Sequence, residues 1–229
     1  MTVSRLRGRS VPSCTPSLNG QPLDRVHQYK YLGVILTDDL IWSTHINEVT
    51  NKARKIIGLI HRQFYSLSST PSLLQHYTSL VKPHLEYATQ VWDPFLIKDI
   101  HKLESVQKFA LKMCCKHWDS SYSENLDQSL LPELSLHRKY LSLSYFYNLI
   151  NGLFEFPDMP TTLCQLSYST RSSHASIYVQ PFAHSNSFLY SFFPKTISLW
   201  NSLPSSVMLS TSVSSFKRNL HVCSYLHYS

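Results

Sequence analysis

Two adjacent carboxylates, Asp38 and Asp39, are the residues whose type and spacing first suggest catalysis. Carboxylates that hold two divalent ions stabilise the attacking and leaving oxygens of a phosphoryl transfer. Adjacent Asp residues after a strand are, however, more typical of a turn that leads into a helix. We therefore interpret this pair as a turn, and the sequence predicts no catalytic, cofactor-binding or metal-binding residue.

Basic side chains at helical spacing suggest a second kind of chemistry, the binding of phosphates. The formal net charge is +7, from 21 Lys and Arg against 14 Asp and Glu, which favours polyanionic partners. An ordinary solvated surface, with Glu48–Lys52 and Glu104–Lys108 pairs along the helices, is the alternative interpretation. The candidate nucleic-acid-binding residues are Lys52, Lys55 and Arg62 on one predicted helix and Lys108, Lys112 and Lys116 on another.

No other pattern in the sequence points to a reaction. The five cysteines contain no C-x-x-C pair, the 12 histidines contain no H-E-x-x-H pair, and no G-x-S-x-G motif occurs. Neighbouring Cys114 and Cys115 are expected to be reduced, structural thiols on different faces of a helix. No apolar run approaches the length needed to span a bilayer, so we expect an intracellular protein, nuclear or cytoplasmic, with no membrane partner.

The elements that must position these residues are mostly helical. Tyr29 to Leu36 is an aromatic and β-branched run that predicts a buried strand, in which Gly33 allows a bulge. An apolar stripe then recurs from Ile46 to Phe64 at helical spacing, with Ser43 or Thr44 as the expected N-cap.

Three further helices are predicted downstream. They run from near Pro71 with a kink at Pro83, from about Ile97 to Lys116, and from about Glu133 to Asn151. Near the end of the chain, 177–179 and 188–193 are expected to be short strands or loop, whereas 195–203 and 212–222 are expected to be short helices. Trp42, Trp92 and Trp200 are predicted core residues, and Trp118 is predicted to be the most exposed.

The predicted fold class is therefore mainly α, with a small mixed α/β or irregular C-terminal region. The expected organisation is a flexible lead-in at 1–25, a strand region at 26–41, a helical bundle at 42–152, a linker at 153–170 and a C-terminal region at 171–229.

Several motifs resemble one known family. The stretch Tyr29 to Leu36, running into Trp42 and His45, resembles the last palm strand of non-long-terminal-repeat (LINE-type) retrotransposon reverse transcriptases. The downstream motifs are similar to that family's thumb helices and terminal block. They are Val81 to Tyr87, Val91 to Pro94, Leu103 to Lys108, Ser191 to Thr196, Leu199 to Pro204, and Phe216-Lys217.

The resemblance implies a helical thumb-like bundle after a residual palm strand, which grips template and primer as they leave the active site. RNA or an RNA/DNA hybrid is then the expected partner. The family's metal-binding Asp motifs lie upstream of this strand, so we expect a truncated chain that does not polymerise alone and needs Mg²⁺ only if a palm is present.

Two alternatives to the nucleic-acid interpretation remain open at the sequence level. The first is a structural or protein-interaction module, or a nonfunctional retrotransposon remnant, that self-associates through an unpaired strand edge at Tyr29 to Leu36. The second is a piece of a larger polyprotein that carries the polymerase activity elsewhere.

Overall fold

The computed structural model describes residues 17–22, 26–154 and 178–226. The described residues are mainly helical, which confirms the predicted fold class. The expected linker at 153–170 and the first residues of the lead-in lie almost wholly outside the described residues.

Two small antiparallel hairpins precede the helices. Their strands are β1 (Ser17–Leu18), β2 (Gln21–Pro22), β3 (Gln28–Tyr31) and β4 (Val34–Thr37). The helices are α1 (Ser43–Phe64), α2 (Thr70–His76), α3 (Lys82–Glu86), α4 (Thr89–Trp92), α5 (Ile97–Cys115), α6 (Tyr122–Ser129), α7 (Leu134–Ile150), α8 (Asn186–Leu189), α9 (Phe192–Asn201), α10 (Ser205–Met208) and α11 (Val213–Leu226).

The expected single strand over Tyr29–Leu36 is corrected to a hairpin. Leu32 and Gly33 have φ angles of 46° and 84°, the two positive values that a tight two-residue hairpin turn requires. Gly33 therefore closes a turn rather than a bulge. β3 is exposed along its whole length, whereas Val34 and Ile35 of β4 are buried against α1.

A π-helical turn, Tyr77–Val81, joins α2 to α3. A proline within a helix clashes with the carbonyl four residues before it and donates no hydrogen bond. The wider turn immediately before Pro83 accommodates the ring, because π-helical turns change the spacing of the hydrogen-bonded ladder. The chain stays helical from Thr70 to Glu86, with the π-helical turn directly before the proline at which the sequence predicts a kink.

The long helices match their sequence patterns, but the start of α1 does not. Its N-cap is Trp42, and no side chain caps it. The Ser43 hydroxyl instead donates to Oδ2 of Asp99 over 2.6 Å, a contact between α1 and the first turn of α5. Local spacing predicts Ser43 as the N-cap of α1. In the structure its hydroxyl is used instead in the hydrogen bond to Asp99, a residue distant in the sequence.

The chain divides into two compact units. Unit 1 contains residues 1–88 and 96–125, and unit 2 contains 89–95 and 126–229. In unit 1, α1 packs on α5, on α3 and on β4, and α2 packs on α5. The buried side chains of this unit include Ile57, Tyr77 and Leu103.

Unit 2 is built on α7, which packs against α4, α9 and α11. Its core is aromatic: Trp200 lies 5.3 Å from the ring of Phe146 and 5.7 Å from that of Phe216, centroid to centroid. The residues at 188–193 belong partly to α8 and α9, so the expected short strand or loop there is corrected to helix and turn.

Candidate nucleic-acid interface

The candidate basic residues lie on α1, on α5 and at the C-cap of α5, and the two helices run parallel in unit 1. The contacts between the two helices ascend together: Ser43 meets Asp99, Lys102 donates to Asn47, and Arg54 donates to Ser105 over 3.1 Å. Beyond the helix ends, the Trp118 indole donates to the Tyr65 hydroxyl over 3.2 Å. We call this line of hydrogen-bonded contacts the α1–α5 seam.

On α1 the three predicted cations divide into two sets. Lys55 and Arg62 are exposed on the side of the helix that faces away from the buried stripe. Lys52 is also exposed, but it lines a cavity of about 270 Å³ with Lys30, His84 and the hairpin turn. It therefore belongs to the hairpin end of unit 1 rather than to the seam.

That cavity contains one histidine held in its neutral form. Nδ1 of buried His45 accepts the Ile35 N–H over 3.2 Å, which leaves the ring proton on Nε2. Burial lowers the pKa of His45, nearby Lys30 lowers it further and Glu48 opposes the shift. Burial, aided by Lys52, likewise lowers the pKa of His84.

On α5 the three lysines have different surroundings. Lys108 is exposed on the helix. The Lys112 ammonium donates to the Trp118 carbonyl over 2.6 Å, and the Lys116 ammonium donates to the Ser68 carbonyl over 2.9 Å. Lys116 has a φ of 59° and lies just past the end of α5, so the expected i, i+4, i+8 row is corrected to two helical lysines and a cap.

The acidic residues expected to pair with these lysines also make other contacts. Glu48 binds Lys30 of β3 over 2.6 Å, and Glu104 accepts the Tyr122 hydroxyl over 2.8 Å. The Glu48–Lys30 contact links α1 to the hairpin, which no local spacing on α1 predicts.

The structure adds residues that the sequence pattern did not select. Arg54 and Lys102 contribute two further cations along the seam. Tyr65, Phe109 and Trp118 form a partly exposed group at its end, which we call the aromatic cluster. The exposure of Phe109 could have been predicted from the sequence, because this aromatic residue directly follows Lys108 on the polar side of α5.

The carboxylate pair at 38–39 is engaged in turn contacts. Asp38 binds His27 over 2.9 Å, and Oδ1 of Asp39 accepts the Thr37 hydroxyl and the Ile41 N–H. This confirms the interpretation as a turn. Within the described residues, no group of three His, Cys, Asp or Glu side chains is arranged to hold a metal ion.

The tryptophan expectations are confirmed for three of the four residues. Trp92 and Trp200 are fully buried, and Trp118 is 44% exposed. Trp42 is half-buried. Cys114 and Cys115 are both buried, and burial raises the pKa of the Cys114 thiol to about 12, with a smaller contribution from Cys115.

Comparison with known proteins yields a partial match. The chain is 32% identical over 109 residues to the RNA-directed DNA polymerase from mobile element jockey of Drosophila funebris. The matched part covers 45% of this chain and 11% of that protein. Over that part, the chain is similar to a reverse transcriptase.

Comparisons with protein families and with solved structures find no match. Among the described helices, none is both long enough and apolar enough to cross a membrane.

Proposed function

We propose that unit 1 binds the sugar–phosphate backbone of RNA or an RNA/DNA hybrid along the α1–α5 seam, without a polymerase centre of its own. The observation that carries this proposal is a pair of cations, Arg54 and Lys102, hydrogen bonded across the seam of two parallel helices that also carry exposed cations. The similarity to the jockey RNA-directed DNA polymerase supports a nucleic-acid partner.

The cations of α1 and α5, both on the seam and on the exposed helix faces, suit backbone contacts. Exposed Lys55, Arg62 and Lys108 offer charged donors to phosphate oxygens, and such contacts position a protein without reading sequence. Arg54 and Lys102 are already hydrogen bonded across the seam, so they add positive potential from fixed positions. Binding of this kind weakens as salt rises, because each neutralised phosphate releases counterions.

We infer that catalysis, where it occurs, needs residues other than Asp38 and Asp39. Their carboxylates are occupied by His27, Thr37 and the Ile41 N–H, and the cost of breaking those contacts would oppose metal binding. A pure preparation is expected to show no Mg²⁺-dependent primer extension, and measurable extension would refute this part of the proposal.

The binding proposal is tested by a triple reversal, Lys55→Glu, Arg62→Glu and Lys108→Glu. Lys112 and Lys116 are left intact, because their ammonium groups hold the carbonyls of Trp118 and Ser68. With a blunt RNA/DNA hybrid as probe, the reversal should lower affinity at least about tenfold at low salt and reduce the salt slope by roughly 3.

The matched control reverses three exposed cations of unit 2, namely Lys139→Glu, Lys217→Glu and Arg218→Glu. It changes the net charge by the same amount, so it reports the effect of overall charge alone. Equal losses in the two triple variants would contradict a binding face on the seam.

A second function, self-association through β3, has one observation in its favour. β3 pairs with β4 along one edge, and Tyr29 and Tyr31 are 56% and 59% exposed. An exposed strand edge is a template for pairing with another chain. Concentration-dependent sedimentation that disappears in a Tyr29→Pro variant would support this function, and a monomer at all concentrations would exclude it.

A further inference from the structure

The aromatic cluster presents two ring surfaces to solvent at the end of the α1–α5 seam. Phe109 is 48% exposed and Trp118 is 44% exposed. Their ring centroids lie 6.0 Å apart, with the planes inclined by 58°. Large aromatic side chains usually contribute to stability through burial, and this pair leaves about half of that contribution unused.

The Trp118 ring is held in position by its polar edge. Its indole N–H donates to the Tyr65 hydroxyl, and its backbone carbonyl accepts from the Lys112 ammonium. The indole N–H is therefore already bonded within the protein and is not needed by a ligand that contacts the ring face. A ring fixed in this way loses little side-chain entropy when a planar ligand stacks on it.

Two ammonium groups lie at the aromatic cluster, those of Lys112 and Lys116. The Lys116 ammonium lies 5.4 Å from the centroid of the Tyr65 ring, and exposed Lys108 directly precedes Phe109. Arg62 occupies the last turn of α1, one turn before Tyr65. Asp119 is the acidic residue next to Trp118. The cluster thus has cationic side chains in contact with two of its three residues, Tyr65 and Trp118.

Exposed aromatic rings next to lysine ammonium groups suit one class of ligand. An unpaired nucleobase has a π-face for stacking, and its sugar–phosphate carries the negative charge that the lysines attract. Base pairs within a duplex keep their faces stacked on one another, so a blunt duplex offers few free faces. The surface is thus complementary to single-stranded nucleic acid.

We propose that Phe109 and Trp118 form a stacking site for unpaired nucleobases of a single-stranded segment that follows the backbone bound along the seam. This inference rests on the proposed function. It goes further by assigning a preference for single strands to two named side chains.

The test compares three probes: a thymidine homopolymer, a strand of the same length with abasic sites in place of the bases, and a blunt RNA/DNA hybrid. Trp118→Leu should weaken binding of the homopolymer at least about fivefold, because one stacked base contributes on that scale. Its affinity for the abasic strand and the hybrid should stay within about twofold of the parent protein.

Two further variants separate stacking from folding. Phe109→Leu removes a ring that has no N–H bond to lose, and it should show the same selectivity for the homopolymer. Trp118→Phe keeps an aromatic face, and it should retain most of the homopolymer affinity. Because Trp92 and Trp200 are buried and Trp42 is half-buried, most of the fluorescence quenching on homopolymer binding should come from Trp118 and be reduced in Trp118→Phe.

The matched control is Phe182→Leu, which alters an 80% exposed aromatic side chain of unit 2. It should leave all three affinities unchanged. Equal losses on all three probes for Trp118→Leu, or no loss on the homopolymer, would overturn the stacking site. Failure of the parent protein to bind even the abasic strand and the hybrid would instead refute backbone binding, so the two proposals fail separately.

Discussion

His45 shows how one side chain acquires its chemistry from the fold. Its sequence position predicts only a residue in the first turns of a helix, yet Nδ1 accepts the Ile35 N–H of β4. The ring is buried and neutral, and its pKa is lowered by burial. This histidine therefore couples the hairpin to α1 in a pH-dependent way.

We expect the protein to lose stability as pH falls below about 6.5. The folded-state pKa of His45 is lower than the unfolded value, so the unfolded chain binds a proton first and acid favours unfolding. The stability that His45 contributes is fully present above its unfolded-state pKa and is lost as pH falls through its folded-state pKa. His84 acts with the same sign.

The measurement is urea denaturation across this pH range. A His45→Asn variant keeps an acceptor near Nδ1 but does not titrate, so its stability should depend less on pH than that of the parent protein. His101→Asn, at an exposed position of α5, is the control. Parallel pH profiles for His45→Asn and the parent protein would contradict the role given to His45.

At the scale of elements, the β3–β4 hairpin contains a local conflict. Leu32 has a left-handed φ of 46°, a conformation that costs an L-residue roughly 1–2 kcal/mol. Its side chain is 73% exposed and gains little from burial. The Leu32 carbonyl accepts the Tyr87 hydroxyl over 3.0 Å, so a contact from beyond α3 holds this strained turn in place.

Leu32→Asn is expected to stabilise the protein by about 0.5–1 kcal/mol, because Asn-Gly is the preferred pair for this turn. The carbonyl contact with Tyr87 is a backbone contact and is retained. Thermal and urea unfolding measure the change, and Leu67→Asn, at another highly exposed leucine without a positive φ, is the control.

Gly33→Ala, at the next residue, is expected to destabilise the protein, which is the opposite of the effect expected for Leu32→Asn. Its Cβ would meet Tyr87 at 3.5 Å, an ordinary contact, so the φ of +84° is the source of the cost. Destabilisation by Leu32→Asn, or no loss in Gly33→Ala, would show that the turn is not of this type.

At the scale of the whole molecule, Asp93 holds together the main helices of unit 2. Oδ1 of Asp93 accepts from Nε of Arg138 on α7 over 2.8 Å, and Oδ2 accepts from Lys195 on α9. The Arg138 side chain is 2% exposed and that of Asp93 is 14% exposed. One carboxylate in a short segment thus joins the two helices on which unit 2 is built.

Asp93→Ala is expected to destabilise unit 2 by about 3–5 kcal/mol, because it leaves a buried guanidinium without its counter-charge. Hydrogen exchange should accelerate in α7 and α9 while α1 and α5 keep their protection. Glu48→Ala is the control, since its pair with Lys30 is exposed and contributes at most about 1 kcal/mol. Equal acceleration in both units would contradict this assignment.

The C-terminal motif around Trp200 also gains a structural reason at this scale. Trp200 fills the aromatic core, and the Asn201 side chain makes two hydrogen bonds to the backbone of Tyr178, accepting its N–H and donating to its carbonyl. The sequence offered no account of this Trp-Asn spacing, because both partners of the pair become neighbours only in the folded unit.

The sequence by itself determined the helices α1, α5 and α7 and the burial of Trp92 and Trp200. Apolar residues at a period of 3.6 specify a helix and its buried face from local information alone. The same information predicted the exposure of Lys55, Arg62 and Lys108, since it places them opposite the apolar stripe.

Only the tertiary structure decided which polar groups meet. The sequence predicts Ser43 as the cap of its own helix, but its hydroxyl binds Asp99. It predicts Lys116 on a helical row, but Lys116 follows the end of α5 and its ammonium donates to the Ser68 carbonyl. Asp93 and Lys195 lie 102 residues apart in the chain. Such pairings depend on how elements pack across the chain, and a local period carries no information about distant partners.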